Sequence, residues 1–193
     1  MSKKLGSLGE LVSGYQLRSA TKFDSNGKYN LVQLGDVTEE GVADSLLRMN
    51  IDVDDAKFGV QVGDVLCRSR GGKYVASLVE RLGHPTIATS SLFIFRANLS
   101  VVAPAFVTWW INLPATQFIL AKSQTGSNIK SVSLSAFADL TVPAVPLSVQ
   151  EKVVEIDRLN RAERKLELNL ADRRANYIEQ RLMDLVQATT KEK

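Results

Sequence analysis

Apolar and polar positions follow two different regimes along this chain, and the change comes at Pro146. All 12 glycines and all five prolines lie at or before that residue, so 147–193 contains no helix breaker. Within that stretch Ile156, Leu159, Leu166, Leu170, Tyr177 or Ile178, Leu182 and Leu185 recur at spacings of three, four and seven. Such spacings draw one apolar stripe along a helix. Ser148, followed three residues later by Glu151 and preceded by Pro146, reads as a capping box. The pattern predicts a helix from Val149 to Gln187, about 58 Å long at 1.5 Å per residue. A helix of that length projects or pairs. Glu163 and Arg173 interrupt the strict heptad, and the phase drifts after Leu170, so the seam is an imperfect one. A solvated helix this long needs a partner for its stripe. Coiled-coil-like pairing with another helix suits it better than packing back onto its own domain.

Ahead of Pro146 the apolar spacing is mixed. Tyr29 to Leu34 alternates and runs into Gly35-Asp36, a strand meeting a turn. Val65 to Cys67, Tyr74 to Val79 and Thr86 to Phe95 are further strand candidates, rich in β-branched and aromatic residues. Pro104 opens a short apolar helix through Trp109, Trp110 and Ile111. Pro114 opens a second through Phe118, Ile119 and Leu120, ending near Ser123. Ser133 is placed to cap a third over Leu134 to Ala138, and Leu140 to Val142 reads as a last strand. No internal repeat or low-complexity tract is visible. The predicted class is α+β: a mixed-sheet domain with short helices over 1–147, then a long coiled-coil-type helix over 148–193.

Composition narrows the function. Hydrophobic residues make up 45% and charged residues 23% of the 193, near the globular average, which excludes wholesale disorder. The most apolar run, Val101 to Leu113, is broken by Pro104 and too short to span a bilayer. Lys3 and Lys4 have no apolar segment behind them of the kind a signal peptide needs. The single cysteine, Cys67, and the single histidine, His84, argue against an internal disulfide, a Cys or His metal site and a His-based catalytic triad. The expectation is a soluble cytoplasmic protein. Net charge is +3 and the pI about 9.0. Residues 1–60 carry seven basic and nine acidic side chains, 61–150 seven and three, and 151–193 ten and nine. The middle third is therefore the electropositive one.

Catalytic motifs are absent. Gly71-Gly72-Lys73 lacks the first glycine of a phosphate loop at the required spacing, and Tyr74 replaces its Ser or Thr. There is no Gly-x-Ser-x-Gly elbow and no Gly-x-Gly-x-x-Gly loop. Asp52, Asp54 and Asp55 lack a lysine or histidine at nuclease-like spacing and read as a solvated loop. Cys67 reads as a small buried residue on a strand. Two segments carry a different signal. Cys67 to Tyr74 sets Arg68, Arg70, Lys73 and the ring of Tyr74 on a glycine-rich turn between strands. Arginine forks onto phosphate or guanine edges, and glycine lets backbone approach a polyanion. Ser123 to Ser131 offers hydroxyls and amides with one cation, the groups that contact phosphates and bases. Either segment alone is an ordinary polar surface. Together, in the electropositive third, they favour nucleic acid over a small acidic ligand.

These features lie in a familiar order. Leu34-Gly35-Asp36-Val37; Gly63-Asp64-Val65-Leu66 followed by Arg70-Gly71; and Ser90-Ser91-Leu92-Phe93 form the first part. Thr125-Gly126-Ser127 with Ile129 and Leu134, then Leu140 to Pro143 and Pro146 to Gln150 abutting the long helix, form the second. The chain resembles the specificity subunit of type I restriction–modification systems: one target-recognition domain followed by one spacer helix. It departs from that pattern at Ala144-Val145, where the family prefers proline, and in length, since the family usually carries two such domains and two helices. The resemblance implies a non-catalytic half-subunit, paired through antiparallel helices with a second copy, reading a bipartite inverted-repeat site in double-stranded DNA. It implies docking of DNA methyltransferase subunits and, through them, restriction subunits. S-adenosylmethionine, ATP and magnesium would belong to those partners, with no cofactor or metal on this chain. The expected DNA contacts are Arg68, Arg70, Lys73 and Lys130 for phosphate or base, and Tyr74, Gln124, Ser127 and Asn128 for base or sugar. Arg18, after Gly14-Tyr15, is a further candidate. The alternatives are a helical assembly or adaptor protein that does not touch DNA, and an inactive truncated subunit.

Overall fold

The computed structural model describes residues 1–17, 23–126 and 130–191, with side chains at 185 and 188–191 outside the description. The chain divides into two compact units, Met1–Glu151 and Lys152–Lys193.

The first unit contains β1 (Ser2–Lys4), β2 (Gly9–Ser13), β3 (Tyr29–Val32), β4 (Val37–Thr38), β5 (Gly41–Val42) and β6 (Leu47–Met49). There follow α1 (Asp55–Phe58), β7 (Val65–Arg68), β8 (Ala76–Leu78), β9 (Thr86–Ala88) and β10 (Leu92–Ala97). The helices α2 (Pro104–Asn112), α3 (Pro114–Lys122) and α4 (Leu134–Ala138) precede β11 (Thr141–Pro143). Helix α5 (Leu147–Lys191) starts in this unit and makes up the second. Four strands form an antiparallel sheet in the order β2-β10-β7-β8. A second sheet, β6-β3-β9, holds one antiparallel and one parallel pair, so the sheets are mixed as expected. β1 pairs with β11, and β4 with β5.

Alternation along β7 and β10 sorts their side chains onto two faces. Leu66, Leu92 and Ile94 join a core with Val32, Val37, Val60, Val75 and Ala88. The intervening Phe93 meets the ring of Phe137 on α4 edge-on at 5.4 Å. Cys67 is buried on β7, and burial pushes its thiol pKa up. Just before β7, the Asp64 carboxylate is 1% exposed and accepts from Arg96 Nε and Nη2, both at 2.9 Å. It also accepts the Gln61 N–H at 2.8 Å. The Gly63-Asp64 pair is thus a buried staple between β7 and β10.

Several elements differ from the expectations. Thr86 to Phe95 is two strands, because Leu92 N–H turns back to Thr89 C=O at 2.9 Å while β9 and β10 go to different sheets. The Asp52–Asp55 region is only partly a loop. Asp54 caps α1 by accepting the Ala56 N–H at 3.0 Å, and Asp55 accepts from the Tyr29 hydroxyl at 3.1 Å. The long helix begins at Leu147, so Ser148 lies inside its first turn rather than at the cap. The anchor there is Gln150, 2% exposed, whose amide accepts from Ala103 N–H at 2.8 Å and donates to Val145 C=O at 2.9 Å.

The second unit is helix alone, and α5 as a whole is about 68 Å long at 1.5 Å per residue. Ile156, Leu159, Leu166, Leu170, Ile178 and Leu182 are all 50–69% exposed. Arg158–Glu155 and Arg161–Asp157 pairs, at 2.7 and 2.6 Å, brace the polar side. The Leu185 side chain lies outside the description. Among the described residues no helix is long and apolar enough to cross a membrane.

Candidate nucleic-acid interface

The two polar segments singled out by sequence meet in the structure. The turn from β7 to β8 reverses at Gly71 and Gly72, with φ of +96° and +81°, a backbone region glycine enters without strain. Ser69 C=O on this turn accepts the Val132 N–H at 2.8 Å, and Arg70 forms a β-bridge with Ser131. Ser131 in turn exchanges two backbone hydrogen bonds with Thr125, at 2.9 and 3.1 Å. Backbone pairing therefore links the basic turn to both ends of the polar loop. Ser69 is tied further inward by its hydroxyl, which donates to Ser91 C=O at 2.8 Å.

On this frame Arg68 and Arg70 are half-buried and Lys130 is exposed. Among the described residues none of the three forms an ion pair with a carboxylate. Among the described residues Arg68 Nε is buried without an acceptor. Lys73 differs: its ammonium lies 2.5 Å from Glu39 on the β4–β5 hairpin, so its charge is already met. That hairpin is held on β8 by the Ser77 hydroxyl, which donates to Thr38 C=O.

Tyr74 corrects the sequence reading. It is 0% exposed and cannot present its ring to a base or sugar. Tyr74, Val75, Ala76 and Ser77 are all buried, so the chain is covered on both sides as it enters β8. Among the described residues the Tyr74 hydroxyl has no hydrogen-bond partner of normal geometry. Burial raises the phenol pKa, and the neighbouring Gln124 side chain partly offsets that rise. Gln124 is half-buried between the end of α3 and the Thr125 bridge. Arg18, Ser127 and Asn128 lie outside the described residues.

Sequence reasoning missed two amides. Asn112, at the end of α2, accepts the Ala76 N–H at 2.9 Å and donates to Ala76 C=O at 2.8 Å. Gln117 on α3 does the same for Tyr74, at 2.9 and 3.0 Å. They occupy the free edge of β8 as a neighbouring strand would. The available signal was a single amide in each of two mostly apolar helices. Among the described residues no group of His, Cys, Asp or Glu could hold a metal ion. The arrangement offers cations, amides and hydroxyls of the kind that suit a polyanion.

No protein-family model and no curated protein matches the chain. Solved structures do. The fold is similar to that of a chain from a type I restriction–modification system studied for complex assembly and conformational transition, with TM-score 0.68 and 15% identity. The similarity covers 91% of this chain and 42% of that one. It is similar to the S subunit of the type I system of M. genitalium, with TM-score 0.58 and 16% identity, over 89% of this chain and 41% of that one. It is also similar to the HsdS subunit of Thermoanaerobacter tengcongensis, with TM-score 0.59 and 15% identity, over 84% and 37%. The chain thus spans about two fifths of each of these three structures, and the mixed-sheet unit followed by a long helix is their fold.

Proposed function

We propose that this chain is a half-length, non-catalytic specificity subunit of a type I restriction–modification system, acting in the cytoplasm. It reads double-stranded DNA and brings methyltransferase subunits, and through them restriction subunits, to the chosen site. S-adenosylmethionine, ATP and magnesium belong to those partners. One observation carries the reading: in a fold shared with S subunits, Arg70 is bridged to Ser131 and Ser131 to Thr125, and among the described residues neither Arg68 nor Arg70 forms an ion pair with a carboxylate. Uncompensated guanidinium groups beside hydroxyls and amides suit phosphate and base edges. The exposed stripe on α5 pairs with the same stripe of a second copy running antiparallel, the isologous contact of a two-fold dimer. Two identical readers then specify an interrupted inverted repeat.

Selection of the full chain against random-sequence duplexes, repeated over a salt series, tests this. The expected result is an enriched two-part palindrome. The logarithm of affinity should fall against the logarithm of salt with a slope of about −0.9 per phosphate contacted. A second reading, a helical adaptor that does not touch DNA, is favoured by the exposed stripe alone. Absence of salt-dependent duplex binding would establish it in place of the first.

A further inference from the structure

Tyr74 is buried at the root of the candidate reading surface, yet among the described residues its hydroxyl has no partner of normal geometry. Packing needs only the ring, which phenylalanine would supply without an orphaned polar atom. The backbone around it is fixed, because the Gln117 amide holds both its N–H and its C=O. The backbone around Gln124 is fixed as well. Ser123 N–H turns back onto Ile119 C=O and Leu120 C=O at 3.2 and 3.1 Å, and Thr125 is bridged to Ser131. What remains adjustable is the Gln124 side chain, which lies beside the hydroxyl.

A glutamine reads adenine with both ends of its amide, and this needs one amide orientation rather than several. A hydroxyl that engages the amide selects that orientation. We infer that Tyr74 is a positioning residue: its buried hydroxyl bonds the Gln124 amide when DNA is seated and aims that amide at one base pair. Tyr74 itself touches no DNA. This rests on the DNA-reading function proposed above and names the pair of residues that sets one of its letters.

The test compares the full-length wild type, Tyr74→Phe, Gln124→Ala and the double variant in random-duplex selection, with melting temperature measured alongside. Tyr74→Phe should keep the wild-type salt slope and melting temperature within a few degrees. It should lose about tenfold of preference at a single base pair, the value of one good bidentate contact. Gln124→Ala should flatten the same pair, and the double variant should flatten it no further. The inference is overturned if Tyr74→Phe selects the wild-type site unchanged, or if it weakens all positions uniformly with a fallen melting temperature. It is equally overturned if Gln124→Ala leaves every position intact, a result that stands even should Tyr74→Phe not fold. A wild-type chain that selects no sequence fails the DNA-reading function itself, and so is told apart from these outcomes.

Discussion

At the scale of single residues, environment separates cations that sequence treats alike. Arg70 has no carboxylate partner among the described residues, whereas Lys73 meets Glu39 at 2.5 Å. Arg70→Ala should therefore cost about 1–3 kcal/mol of specific binding and relax preference at one base pair, if it forks onto a base. Lys73→Ala should change affinity much less. Competition binding with single-base site variants measures both, and equal losses would contradict the distinction. Cys67 gives a pH prediction. Burial raises its thiol pKa, so the folded state holds the proton where the unfolded chain releases it. That contribution is fully present below the ordinary thiol pKa of about 8.5 and is lost as pH rises toward the folded value. Native protein should accordingly resist a thiol-selective reagent at pH 8, with labelling appearing only as denaturant unfolds the first unit. Tyr74 shows where residue-level reading stops. Its neighbours on the turn are polar, but its backbone is held by the Gln117 amide of α3, a contact 43 residues away that the turn itself does not announce.

Among the elements, the helices were the most legible. Pro104, Pro114 and Ser133 each sit where a helix starts, and the Ser133 hydroxyl accepts the Ala136 N–H as a cap should. These signals are local, so sequence carries them. Strands of three residues, such as β1 and β6, carry too few positions for a period and exist because a distant partner pairs with them. The same reason hid the amides on β8, whose meaning depends on where α2 and α3 pack. Removing them has a calculable effect: Gln117→Leu or Asn112→Leu leaves buried backbone groups of Tyr74 or Ala76 unpaired. Each should lower stability by about 1–3 kcal/mol in urea unfolding. A loss within a few tenths of a kcal/mol would mean that water replaces the amide.

For the molecule as a whole, the long helix is the element whose stability cannot come from its own unit. Its apolar side chains are solvent-facing in the single chain, and an unpartnered helix gains little from propensity. Leu166→Asp with Leu170→Asp should give a monomer by light scattering and reduce helical ellipticity, while the first unit keeps its unfolding transition. A wild-type monomer at micromolar concentration would instead contradict the paired state. The start of the long helix just after Pro146 was legible because an absence of glycine and proline is a strong signal.

The amide clamps on β8 also bear on how the first unit breathes. An edge strand ordinarily frays alone, and its protons exchange with solvent water early. Here the N–H groups of Tyr74 and Ala76 are donated to side chains of α3 and α2, so they are released only when those helices lift away. Deuterium uptake at these two positions should therefore follow helix detachment. The sheet and its helical cover would open as one cooperative block instead of unravelling from the rim.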